Sequence, residues 1–213
     1  GACHPHRMPE SLIAALADPH AWAFVLLGFV AQLCDGALGM GFGAISTAAL
    51  TALGLPREVA SASVNGAKLL TGTASGAAHV WHRNVSGTLL LKLGAAGVAG
   101  GLVGALLLAR YSHWLVGALA SASLLLIGVY IVLRAFRAPG EHRPPRHVPL
   151  VGTAGGVTEA LAGVWGPLVT SSLVALGVHP RFAVGTSCVA ETFVAAAVFV
   201  TLVNHLGVSA LSA

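Results

Sequence analysis

The chain has little charge. Only 8% of its 213 residues are Asp, Glu, Lys or Arg, against roughly 25% in soluble domains, which excludes a fold whose surface is solvated by charged side chains. Aromatic residues make up 6%, too few for the two aromatic girdles of a transmembrane β-barrel. There are three cysteines. Cys3, Cys34 and Cys188 form no CxxC spacing and two of them lie in apolar runs, so a disulfide framework is not expected. No HExxH or GxSxG occurs, and no nucleophile–base pair stands out inside an apolar span, the histidines lying at span edges, so enzymatic chemistry is not expected. The net charge of +4 is scattered among apolar segments, with one cluster at Arg134, Arg137, Arg143 and Arg146. That cluster reads as a cytoplasmic loop under the positive-inside rule, and nucleic acid is not expected as a partner.

What remains is apolar and small. Hydrophobic residues make up 56% of the chain and 27 residues are glycine, a composition suited to closely packed transmembrane helices. Small-xxx-small spacings occur at Gly72/Gly76, Gly97/Gly101, Gly100/Gly104 and Gly152/Gly156. In chain order, a polar tail over 1–19 precedes a first transmembrane repeat over 20–134. A Pro-rich linker over 135–147 leads to a second repeat over 148–213. Within the first repeat the pattern predicts an apolar segment over 21–38, a short helix over 42–53, a polar-faced helix from Pro56 to Trp81, and spans over 88–109 and 113–133. The second repeat reads as incomplete, because 207–213 is too short to match the two spans at 88–133.

Two stretches organise the rest. Leu33–Thr47 reads LCDGALGMGFGAIST and Val157–Thr170 reads VTEALAGVWGPLVT. Each carries one carboxylate, Asp35 or Glu159, then a break rich in glycine, then a short helix bearing hydroxyls. Glycine tolerates positive φ and Pro167 has no amide donor, so both breaks are expected to interrupt a helix and expose backbone N–H groups. Asp35/Glu159 and Gly39/Gly163 differ by 124 positions. From Gly43/Gly166 through Gly54/Gly177 to Lys68/Glu191 and His82/His205 the difference is 123, as one deleted residue in the second break would produce. The chain is therefore an internal duplication. The expected fold is all-α: a polytopic integral membrane protein built from two inverted repeats with broken or re-entrant helical hairpins, favoured over parallel repeats because it makes the two breaks face one another.

The combination of CDGALGMGFG, SASVNGAKL and SGAAHVWHRNV in the first half with GVWGPLVTSSL and HPRFAVGTSCVAETF in the second resembles the sulfite exporter TauE/SafE family of membrane permeases, over roughly 25–205. The resemblance implies two homologous helical halves in the bacterial inner membrane, carrying sulfite, sulfonates or other small organosulfur anions. Relatives commonly have His and Glu where this chain has Asn65 and Lys68, and a fuller glycine run where it has Leu161 to Val164.

An anion leaving water needs fixed donors, and helix N-termini provide them. The candidate substrate-binding residues are accordingly Gly39, Gly41, Gly43, Ser46 and Thr47 at the first break, Trp165, Gly166, Thr170 and Ser171 at the second, and Asn65 and Lys68 between them. The competing reading has the glycines serving only tight helix packing and the hydroxyls bonding their own backbone. Lys68 is the one cation deep in an expected span and needs a partner or a wet cavity. Its repeat mate Glu191 is the candidate partner, competing with a direct contact between Lys68 and substrate. Asp35 and Glu159 either carry a coupling proton or brace the broken helices by accepting N–H bonds. No metal site or cofactor is expected; His79/His82 is the best of the weak metal candidates, and Cys34 and Cys188 read as packing residues. The expected partners are a small anion and the lipid bilayer, and homo-oligomerisation is compatible with the sequence. The expected function is an anion carrier working by alternating access, the alternatives being a transition-metal transporter or a non-transporting membrane scaffold.

Overall fold

The computed structural model describes residues 41–111, 113–136 and 147–207, together with 22, 25, 26 and 28–31. Its regular elements are all helices: α1 (Phe42–Ala52), α2 (Arg57–Trp81), α3 (Gly87–Arg110), α4 (His113–Ala135), α5 (Val148–Ala162), α6 (Gly166–Ala175) and α7 (Pro180–Leu206). The described residues between 22 and 31 are helical too. The expected elements from 42 onwards thus form within a few residues of their sequence limits. Asp35 and Gly39 lie outside the described residues, as does most of the linker. Among the described residues three helices, Gly87–Arg110, Trp114–Leu133 and Pro180–Leu206, are long and apolar enough to cross a membrane.

The duplication is visible in the backbone. α1 ends in a Schellman motif, with Leu55 N–H bonded to Leu50 O at 3.1 Å and Gly54 N–H to Thr51 O at 3.1 Å. α6 ends in the same motif 123 positions later, with Val178 N–H on Leu173 O at 3.0 Å and Gly177 N–H on Val174 O at 3.0 Å. Gly54 and Gly177 supply the positive φ, 94° and 85°, that this motif requires. Pro56 and His179 then enter α2 and α7 with nearly the same dihedrals, (−55°, 140°) and (−57°, 132°).

Glycine decides how closely the helices approach. On α3, a Cβ at Gly97 would strike the Trp165 ring, and one at Gly104 would meet the Val157 backbone at 2.9 Å. On α5, a Cβ at Gly152 would meet Leu93 O at 2.6 Å, while one at Gly156 would overlap the backbone of Gly97 and Gly101. Contacts that climb both helices together, Leu93 with Gly152 and Gly104 with Ala160, make α3 and α5 parallel. α2 and α7, which are repeat equivalents, are antiparallel: Gly66 meets Phe199, Gly72 meets Thr192 and Gly76 meets Val189. All four small-xxx-small pairs of the sequence lie at these crossings.

The second interruption is as expected. α5 stops at Ala162, Gly163 caps it with left-handed dihedrals (69°, 23°), and α6 begins at Gly166. The Thr158 hydroxyl donates to Val164 O at 2.8 Å and braces the corner. α6 then returns: its first residues lie beside Ser187 of α7, where Thr170 donates to Ser187 Oγ at 3.0 Å, and its last lead directly into the start of α7. Its ten residues span ~15 Å, about half of a ~30 Å hydrocarbon core.

Gly156→Val therefore forces α3 and α5 apart, and the overpacking costs about 1–3 kcal/mol or more. Gly128 has open space where a Cβ would stand, so Gly128→Ala gains about 0.5–1 kcal/mol of helix propensity. Thermal denaturation in detergent should show a lowered midpoint for the first variant and an unchanged or raised one for the second.

Candidate functional site

The two breaks meet. A Cβ at Gly43 would run into Gly163 O and Lys68 Nζ, and a Cβ at Gly163 would run into Gly43 and sit 2.7 Å from Thr47 Oγ1. Only bare backbone can pass this closely, so the N-terminal turn of α1 rests on the corner between α5 and α6. The first intrahelical bonds are Ile45 N–H to Gly41 O at 3.0 Å and Val169 N–H to Trp165 O at 2.8 Å. The amides of Gly43 and Ala44, and of Gly166 and Leu168, thus precede any bonded turn, and each helix dipole adds partial positive charge there.

Lys68 lies against this junction. Its Nζ donates to Glu159 Oε1 at 2.6 Å and to Glu191 Oε1 at 2.8 Å. The pairing of Lys68 with its repeat mate Glu191 is therefore present, and Glu159 joins as a third member. Glu159 takes the ammonium, not the backbone N–H bonds that a brace would have taken. Its residue is 0% exposed and Oε2 has no hydrogen-bond partner, whereas 26% of the Glu191 side chain is exposed. A lone Lys at a helix centre costs about 2.5–3.5 kcal/mol on insertion scales; two charge-assisted bonds offset that.

A cavity of about 340 Å³ opens beside the triad, lined by Gly41, Phe42 and Gly43 from α1 and by Gly163, Gly166, Pro167 and Thr170 from the second break. From α2 come Lys68, Thr71, Gly72, Ser75 and His79, and from α7 come Val184, Ser187, Cys188, Glu191 and Thr192. It thus joins both breaks to the triad. Of the expected substrate-binding residues, Gly41, Gly43, Lys68, Gly166 and Thr170 line it. Gly39 lies outside the described residues, and the remaining expected residues stand elsewhere. Trp165 is fully buried and donates from Nε1 to Ser187 Oγ at 2.9 Å, Ser171 bonds the Pro167 carbonyl, and Asn65 donates to Ser61 O at 2.9 Å. Ser46 and Thr47 are buried, and neither hydroxyl has a partner.

Thr71, Ser75, His79, Ser187, Cys188 and Thr192 were not among the expected site residues. A signal for them existed: 68, 71, 72, 75 and 79, like 184, 187, 188, 191 and 192, follow the helical i, i+3, i+4, i+7 spacing of a single face. Cys188 Sγ donates to Ser75 Oγ at 3.2 Å and so ties the two stripes together. Among the described residues no group of three His, Cys, Asp or Glu side chains is arranged to hold a metal ion.

The family model for the sulfite exporter TauE/SafE matches residues 24–213. The chain belongs to this family. It is also 34% identical over 193 residues to the probable membrane transporter protein YtnM of Bacillus subtilis (strain 168), an alignment that covers 86% of this chain and 64% of that protein. The chain thus spans less than two thirds of the length of this curated relative. No solved structure matches it. The family is one of multi-pass membrane transporters and not of enzymes.

Lys68→Met leaves two carboxylates facing each other with no cation, one of them fully buried. Removing one partner of a buried pair costs about 3–5 kcal/mol, so the denaturation midpoint in detergent should fall sharply. Adding Glu159→Gln to that variant should recover part of the loss. Strictly additive losses would mean that the triad is not a coupled unit.

Proposed function

We propose that the chain forms the core of a permease for a small anion, with sulfite, a sulfonate or a related organosulfur anion as substrate, in the bacterial inner membrane. The observation that carries this reading is the junction itself: two helix N-termini, related by the repeat, open on one cavity beside a buried lysine. Bare amides and an ammonium are the donors an anion needs in exchange for its water, and 340 Å³ accommodates an anion of a few heavy atoms.

Alternating access between inverted halves is supported by the one-sidedness of the cavity. Its lining residues on α2 run from Lys68 towards the C-terminus and those on α7 run from Thr192 towards the N-terminus. As these helices are antiparallel, both stripes lie on the same side of the triad. On the other side the Phe199 ring packs on Gly66, where a Cβ would meet it at 2.9 Å. The repeat equivalents of Thr170, Val184 and Cys188 are Thr47, Ser61 and Asn65, all 0–3% exposed. Two of these hold a buried polar atom with no partner, Thr47 Oγ1 and Asn65 Oδ1. Buried polar atoms left unbonded are costly, and an opposite-facing state would hydrate them. The antiparallel course of the repeat equivalents α2 and α7 supports the inverted reading, in which the two halves are related by an axis in the membrane plane.

In proteoliposomes, labelled sulfite or sulfonate should exchange against unlabelled substrate of the same kind. Gly43→Ala, whose Cβ would strike Gly163 O and Lys68 Nζ and displace the junction between the breaks, should slow exchange at least tenfold. Liposomes that show no counterflow with either class of anion would refute the reading. In a background lacking the native cysteines, Ser75→Cys should react with an impermeant maleimide from one face of the membrane and Ser61→Cys from the opposite face, with substrate shifting the ratio of the two.

A further inference from the structure

The triad holds two carboxylates for one ammonium. Lys68 Nζ contacts Glu159 Oε1 and Glu191 Oε1, so with all three ionised the group carries one net negative charge. The proposed reading, on which this inference rests, brings a second negative charge to the same wall. Like charges in a partly desolvated cavity repel strongly, and the anion's entry must be accompanied by something that removes the excess.

The surroundings narrow the choice. Among the described residues, α1 and α6 have no titratable side chain, and α5 has only Glu159. On α2, His79 lines the cavity three turns from Lys68 and its Nδ1 lies 3.4 Å from Asn84 Nδ2. Arg57 and Glu58 are at the far end of that helix. On α7, Cys188 is engaged with Ser75. From α3, Lys92 opens on a separate pocket beside His179. Two groups therefore touch the ammonium, and they are unequal. Glu159 is sealed, while Glu191 lines the cavity and is the member that water reaches.

We propose that Glu191 binds one proton for each anion carried, releasing Lys68 from its second carboxylate so that anion and proton cross together. In this step a proton from the aqueous side of the cavity forms an O–H bond on the Glu191 carboxylate. Lys68 remains paired with Glu159, and the N–H that Glu191 relinquishes turns to the anion. Release on the far side reverses each change, returning the proton to water and Lys68 to Glu191. Nothing is oxidised or reduced. Binding of proton and anion are mutually reinforcing, each raising the affinity for the other by the same factor.

The test uses methanesulfonate, a monoanion across the working pH range, so that any proton effect belongs to the protein. In weakly buffered detergent solution the wild-type protein should take up about one proton per methanesulfonate bound. In proteoliposomes a gradient of one pH unit should drive about tenfold accumulation of the label, the limit for one-to-one coupling. KM for counterflow should rise by up to about tenfold per pH unit on the alkaline side. Glu191→Gln should abolish the gradient-driven accumulation and flatten KM against pH, and Glu191→Asp should restore a pH-dependent KM. Counterflow without proton uptake, accumulation driven by a sodium gradient alone, or an unaltered pH profile in Glu191→Gln would each overturn the proton coupling and leave the anion carrier standing. Absence of counterflow in the wild type would overturn both.

Discussion

One ammonium group held between two carboxylates is the interaction on which the centre of this molecule depends. Lys68 comes from α2, Glu159 from the last turn of α5, and Glu191 from α7. The two bonds of the group therefore tie the first repeat to both arms of the second. None of the charges could stay there alone: each would carry a desolvation cost that only its neighbours offset. The ion cluster and the meeting of the two breaks are consequently one feature, since Lys68 Nζ lies where a side chain at Gly43 would have to be.

Small residues make that geometry attainable. In lipid there is no hydrophobic drive to bring apolar helices together, and association relies on close packing and on hydrogen bonds between helices. The glycines of α3 and α5 let their backbones touch, and the Trp165 ring fills the space over Gly97 and Gly155. Trp165 in turn is anchored on Ser187. Trp165, a candidate substrate contact by its place in the sequence, is thus the wedge that positions the second break against α7.

The cavity lies on one side of the cluster while the equivalent region on the other side is packed. The two related halves thus hold equivalent residues in different environments around the shared cluster. Thr170 at the cavity wall and Thr47 in the packed region are the same residue of the repeat in the two environments.

Sequence alone determined the helical membrane class, the duplication with its shift of 123 or 124 positions and the two interruptions, and it offered Glu191 as one candidate partner for Lys68. Each of these follows from local composition or from the comparison of one half with the other. Tertiary structure alone decided that Glu159 completes the cluster, that Asn65, Thr47 and Trp165 are enclosed, and that Ser75, Cys188 and Thr192 face the cavity. Spacing along a helix says which residues share a face, but which face meets a cavity depends on how α2 and α7 cross. That crossing is set by contacts between residues more than a hundred positions apart, such as Gly72 with Thr192.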